Sequence, residues 1–246
     1  MRRNHKNALV LLIMATVAAC TQPKDATPTS AQIESAGLQA LHAHQPAAID
    51  RLAIWAQQGM PVAQRELALA YLTWPQHDAQ ARYWLQKAAS SGDSDAQFRL
   101  ADALYKGLTG LAQNHADAWK WYERAAQAGN AKASFMLARM AKYGDGVTQD
   151  QHLSIRWLID SSERGNAQAM FLLSNAYAAG EGVEQDAAKA KEWLEKSAAG
   201  DYPVAIQALA MSLEAGDAHS PKDAARATHL IKEANDERLM RWNNYQ

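Results

Sequence analysis

Residues 167–200, AQAMFLLSNAYAAGEGVEQDAAKAKEWLEKSAAG, hold two amphipathic stretches joined by a short glycine-rich loop. In the first, Ala169, Leu173 and Tyr177 recur every four residues and share one helical stripe, and Gly180 follows the last turn. Glycine accepts a left-handed backbone at little cost, so it stops the helix there. In the second, Asp186 precedes Ala190, Trp193 and Ser197, which again mark one helix face. The Asp oxygen can accept from a free N–H at the helix start. Small residues at facing positions let two helices approach closely, and the Trp fills the gap. The stretch predicts a pair of packed helices.

The same pair recurs along the chain. Trp84, Trp121, Trp157 and Trp193 are spaced 37, 36 and 36, and Gly92, Gly129, Gly165 and Gly200 follow at 37, 36 and 35. The first-helix signature returns as Ala96/Leu100/Gly107, Ala133/Leu137/Gly144 and Ala205/Leu209/Gly216, with a divergent copy at Ala63/Leu67. The second-helix signature returns as Asn114/Ala118/Trp121/Ala125 and Asp150/Ser154/Trp157/Ser161. Asp78/Ala81/Trp84/Ala88 is one residue shorter, and Asp223/Ala227/Leu230/Ala234 replaces the Trp. A half-copy lies at 49–59. Self-similarity at this period is the mark of a solenoid whose terminal units diverge because they pack on one side only.

Composition agrees with a folded helical chain. The 246 residues carry 25 Lys+Arg against 26 Asp+Glu, with 48% hydrophobic residues, 13 Gly and 7 Pro. Near-neutrality excludes a strongly basic nucleic-acid binder and a strongly acidic tail. One Cys excludes an internal disulfide and a Cys-based zinc cage.

The start reads as an address. Arg2, Arg3 and Lys6 precede the uncharged, mostly apolar run 8–19, which at twelve residues is shorter than the about 20 a spanning helix needs. This is the layout of a secretory signal. Val17-Ala18-Ala19-Cys20 looks like a bacterial lipobox, in which Cys20 is lipidated and becomes the mature N-terminus. The alternative is an ordinary signal peptide with a chance Cys. In the lipoproteins this resembles, Asp after the Cys tends to retain the protein in the inner membrane. Thr21 therefore implies the outer membrane, facing the periplasm or the cell surface. Removal of 1–19 takes away three basic residues, leaving 22 against 26, a net −4. The polar stretch 21–30, TQPKDATPTS, reads as a tether.

The repeat resembles the Sel1-like repeat, a relative of the tetratricopeptide repeat. The resemblance rests on Gly144-Asp145-Gly146-Val147 and Gly180-Glu181-Gly182-Val183, on the Asp that follows each, and on RWLIDSSERGN (156–166) and EWLEKSAAGD (192–201). It covers about 60–240 and implies an all-α, α/α solenoid. The expected organisation is a lipoprotein signal over 1–19, Cys20 and a tether over 20–33, and a helical cap over 34–60. A solenoid of about five repeats fills 61–246. Some Sel1-like proteins stitch their helix pairs with disulfides and are linked to penicillin binding, but this chain lacks those cysteines.

Motifs of catalysis are wanting. The eight His form no HExxH, and His42 and His44 would point about 200° apart on a helix. Gly144-x-Gly146 and Gly180-x-Gly182 follow a helix, not a strand, so their amides belong to helix-ending turns and not to a phosphate loop. The four periodic Trp share the stripe of small residues and are expected in the core. Phe98, Phe135 and Phe171, each two residues before the stripe Leu, are expected to fill space between repeats or else to line the concave face.

No enzyme, cofactor or metal is therefore expected. In tetratricopeptide-like solenoids the first helices line the groove. Positions two and five after the stripe Leu turn away from the core and supply the candidate partner-binding residues Asp102, Tyr105, Arg139, Lys142, Asn175 and Met211. The resemblance implies a lipid-anchored scaffold for a protein partner in the bacterial envelope, since Sel1-like lipoproteins commonly serve envelope assemblies or host contact. An alternative is an immunity protein that neutralises a secreted effector such as a phospholipase. A remote one is a hydrolase of envelope glycans or β-lactams, for which no acid/base pair is found.

Overall fold

The computed structural model describes residues 27–43, 45–216 and 222–232. The expected signal segment, Cys20 and the first part of the expected tether lie outside the described residues. The chain forms α1 (Ser30–Ala43), α2 (Pro46–Gln57), α3 (Pro61–Tyr71), a 3-10 turn (Pro75–His77), α4 (Asp78–Ser90), α5 (Ser94–Lys106) and α6 (His115–Gln127). It continues through α7 (Ala131–Tyr143), α8 (Gln151–Glu163), α9 (Ala167–Ala179), α10 (Ala187–Ala199) and α11 (Pro203–Ala215), and 224–232 is again helical. The architecture is all-α, with each helix packed on its neighbours in sequence. α1 and α2 precede the repeats, and α1 takes up residues 30–33, which the sequence reading assigns to the tether.

Each repeat starts and stops through local chemistry. The second-helix caps form as read: Asn114, Asp150, Asp186 and Asp223 accept from the backbone N–H three residues on, at 2.9–3.0 Å. Asp78 is the exception. It is the first residue of α4, and the cap position falls to His77, which makes no side-chain cap bond. First helices carry caps too: Asp93, Asn130 and Asn166 accept from Ala96, Ala133 and Ala169 at 2.8, 3.0 and 3.0 Å. Gly107, Gly144 and Gly180 end the first helices in the left-handed region. After the second helix the left-handed residue is Gly92, Gly129 or Gly165, but in the next repeat it is Asp201, at φ 58°. Gly200 is thus one residue early, which is why its spacing reads 35.

Small residues and Leu of both stripes are buried, among them Ala96, Leu100, Ala133, Leu137, Ala169 and Leu173. Ser161 and Ser197 donate to the carbonyls of Ala131 and Ala167, at 2.7 and 2.6 Å, and so bolt the second helix to the first in two successive repeats. The four periodic Trp are half-buried, not core. Trp84, Trp121 and Trp157 each touch two successive apolar clusters, so they fill seams between repeats. Cations cover two of the outer indole faces, with Arg124 4.5 Å above Trp121 and Lys196 4.3 Å above Trp193. Two of the Phe row fill inter-repeat space: Phe135 clusters with Ala169 and Leu173 of the next repeat, and Phe171 packs against the cluster of Ala205, Ile206 and Leu209. Phe98 packs on Tyr122 of its own helix pair, with ring centroids 5.7 Å apart. At the N-terminal end, Arg65 joins three helices by pairing with Glu34, Glu66 and Asp93 at 3.2, 2.9 and 2.9 Å.

Candidate functional site

On an α-helix, residues i, i+3, i+4 and i+7 share a face. Lys132, Phe135, Met136, Arg139 and Lys142 obey that rule along α7. The equivalent rows are Asp95, Phe98, Arg99, Asp102 and Tyr105 on α5, and Gln168, Phe171, Leu172, Asn175 and Ala178 on α9. Five of the six sequence candidates fall on these rows. Met211 stands on α11, 62% exposed, and lines neither of the hollows described below.

Arg139, Lys142 and Asn175 come together around one cleft of about 140 Å³ between α7, α8 and α9. Ala138, Ile155, Leu158 and Ala176 make its apolar floor, and Leu172 and Glu181 stand at its edge. Arg139 is exposed, and among the described residues no carboxylate lies within 4.0 Å of it. Lys142 reaches Glu181 at 3.8 Å, a long ion pair. A second hollow, of about 480 Å³, opens beside the N-terminal half of α7, against Phe98, Phe135, Met136 and Gln168.

Asp102 and Tyr105 are less free than the sequence reading expects. Asp102 accepts from the Tyr122 hydroxyl at 3.3 Å and pairs with Lys106 at 2.8 Å. Burial, then the Asp102 charge beside it, pushes the Tyr122 hydroxyl far above its ordinary value. Tyr105 donates to Asp145 at 2.9 Å and stacks on His115 with ring centroids 4.5 Å apart. Burial and that bond to Asp145 raise the Tyr105 hydroxyl, while the charge of Arg139 acts in the opposite direction. Arg139 therefore lies within electrical reach of the α5 strip.

Tyr105–Asp145 and Lys142–Glu181 are one relationship repeated. In each, the residue two before the first-helix glycine contacts the acid after the glycine of the next repeat. Position alone suggested a free face, but the acid in Gly-Asp-Gly or Gly-Glu-Gly comes back to cover it. Lys132, Met136 and Leu172 escaped the sequence reading, which took only positions two and five after the Leu. Their signal was present, since Lys132 is seven residues before Arg139 and Leu172 three before Asn175.

Among the described residues the histidines do not gather. His152 lies 3.2 Å from the Gly182 carbonyl, His77 stacks on Tyr71, and His44 falls outside the described residues. Among the described residues no group of three or more His, Cys, Asp and Glu side chains is placed to hold a metal ion. No described helix is long and apolar enough to cross a membrane.

The Sel1 repeat model matches residues 75–93, 94–130, 131–166, 167–202 and 203–237. No curated protein sequence matches the chain. Among solved structures, a Sel1 repeat protein from Oxalobacter formigenes is 24% identical, with a TM-score of 0.74 over 85% of this chain and 88% of that one. A protective antigen of uropathogenic Escherichia coli, also 24% identical, gives 0.70 over 85% of this chain and 46% of that one. An immunity protein from Pseudomonas aeruginosa is 18% identical, with a TM-score of 0.53 over 85% of this chain and 83% of that one. At these identities the likeness is one of fold.

Proposed function

The chain belongs to the Sel1 repeat family, and from that premise we propose that it is a protein-binding scaffold tethered to the bacterial envelope through a lipid on Cys20. Stacked repeats of this kind interact through surface laid out by the fold, with the apolar seams consumed by stacking. The observation that carries the reading is the cleft between α7, α8 and α9. It holds an apolar floor under Arg139, Lys142 and Asn175, and the Arg139 guanidinium has no carboxylate to satisfy it among the described residues. Charge without a partner beside buried apolar surface is the make-up of a protein interface.

The anchor rests on the sequence. Cys20 ends a basic-then-apolar leader and is the only Cys of the chain. Two or more acyl chains, each contributing about 0.8 kcal/mol per buried CH₂, hold a protein stably at a bilayer. The outer membrane, facing the periplasm or cell surface, is the proposed location because Thr21 follows the Cys.

Two measurements test the reading. Mass spectrometry of the N-terminal peptide should show diacylglycerol on Cys20, and Cys20→Ser should move the protein out of the membrane fraction. Affinity capture from envelope extracts should recover a stoichiometric protein partner, and Arg139→Glu should weaken the recovery. A single effector as that partner would select the immunity role. Capture of no partner under mild conditions would overturn the scaffold reading.

A further inference from the structure

Building on the protein-binding function proposed above, we propose that α7 takes an extended acidic segment of the partner carrying two apolar side chains three residues apart. The repeat fold offers the same backbone row on α5, α7 and α9, but the charges differ. The α7 row holds three cations, Lys132, Arg139 and Lys142. The α5 row mixes Asp95, Arg99 and Asp102, and the α9 row is neutral. The whole chain has 25 basic against 26 acidic residues, so the cationic row is a local feature. Lys132 and Arg139 are exposed, and neither has a carboxylate within 4.0 Å among the described residues. An acidic partner supplies the missing counter-charge.

The two hollows set the spacing. The first opens at Ala131, Lys132, Phe135 and Met136 on α7, and the second at Ala138, Arg139 and Lys142. Their centres are separated by roughly six residues of helix, which at about 1.5 Å per residue is about 9 Å. A polyproline-II chain rises about 3.1 Å per residue and returns to the same side every third residue, again about 9 Å. A segment of the form apolar-x-x-apolar therefore places one side chain in each hollow. The residues between pass beside Arg139, and there a carboxylate is matched. The aromatic and thioether lining of the larger hollow suits a branched or aromatic side chain, and the smaller, aliphatic cleft suits one the size of Leu.

The full-length protein in detergent is titrated against a fluorescein-labelled peptide, Ser-Gly-Leu-Asp-Glu-Leu-Gly-Ser, by fluorescence anisotropy. Binding is expected, weakened at least about tenfold by Arg139→Glu or Lys132→Glu and retained by Arg139→Lys. A peptide with Lys-Lys in place of Asp-Glu, or with the two Leu adjacent, should lose binding. Both variants alter exposed side chains, and unchanged helical circular dichroism and melting confirm their fold. Absence of peptide binding, equal binding by the charge-reversed variants, or equal binding of the Lys-Lys peptide overturns the inference. So does a charge-reversal effect seen on phosphatidylglycerol vesicles and not on peptide. A partner captured from envelope extracts equally by wild type and the Lys132→Glu/Arg139→Glu variant defeats this inference but leaves the scaffold standing. Capture of no partner by wild type defeats the scaffold itself.

Discussion

Gly146 lies against the backbone of His115: a Cβ on it would sit 2.5 Å from the His115 carbonyl carbon and 2.6 Å from its oxygen. Gly182 meets α8 in the same way, since a Cβ there would lie 2.8 Å from Gln151 Cγ and 2.9 Å from Ile155 Cγ1. The second glycine of each Gly-x-Gly loop thus serves contact between repeats. The loop of one repeat seats on the first turn of the previous repeat's second helix, and its glycine is the only residue small enough.

Two glycines separate this contact from backbone strain. Gly146 and Gly165 both have positive φ, 72° and 89°, but a Cβ on Gly165 would meet nothing within 4 Å. Gly165→Ala should cost only the left-handed penalty, about 1–2 kcal/mol. Gly146→Ala should cost about 2–4 kcal/mol, because the clash adds to it. Urea denaturation of both variants checks this, and equal losses would show that the loop does not pack.

Helix caps offer a second comparison. Asn166 accepts from Ala169 N at 3.0 Å, whereas Asp78 caps nothing and sits inside the first turn of α4. Asn166→Ala should destabilise by about 1 kcal/mol. Asp78→Ala should cost roughly 0.5 kcal/mol through the helix dipole alone. Melting temperatures of the two variants give the order.

Tyr122 is fully buried, and among the described residues its hydroxyl reaches only Asp102, at 3.3 Å. Packing therefore outweighs the hydrogen bond. Tyr122→Phe should cost about 0.5–1.5 kcal/mol and Tyr122→Ala about 3–5 kcal/mol. A Phe variant as damaging as the Ala variant would place the energy in the hydroxyl instead.

Asp160 should shape the acid limb of stability. Burial alone would raise its carboxyl, but hydrogen bonds from Arg164 and Ser134 outweigh burial and hold it below the usual range. A folded-state value below the unfolded one, about 3.9, means stability that is present above about pH 4 and lost as the pH falls through the folded value. The difference in unfolding free energy between wild type and Asp160→Asn should be flat above about pH 5 and shrink below about pH 4. A difference that stays constant to pH 2 would remove Asp160 from the acid response.

Much of the fold is written in single positions. The Leu stripes, the second-helix Asx caps and the first-helix glycines each act within one turn of chain, so spacing reveals them. The first-helix caps are equally local, in Gly92-Asp93, Gly129-Asn130 and Gly165-Asn166, where the capping residue directly follows the glycine that ends the preceding helix. The half-exposure of the Trp is not local. It depends on the seams between repeats, against which each indole packs only in part, with Arg124 over Trp121 and Lys196 over Trp193. The same holds for the surface. Asp102 and Tyr105 look free on a helical wheel, but Tyr122 and Asp145 arrive from other helices and loops to engage them. Arg139 and Asn175 receive no side-chain hydrogen bond or ion pair among the described residues, although α8 supplies part of the cleft beside them, while Arg65 draws partners from helices that no spacing announces.

Whether the α7–α9 face grips a protein can be read in living cells by installing p-benzoylphenylalanine at Asn175 and, on the second-helix side, at the exposed Tyr83. Irradiation should yield one discrete crosslinked protein from Asn175 and none from Tyr83. A crosslink from Tyr83 alone, or equal products from both positions, would put the binding surface elsewhere.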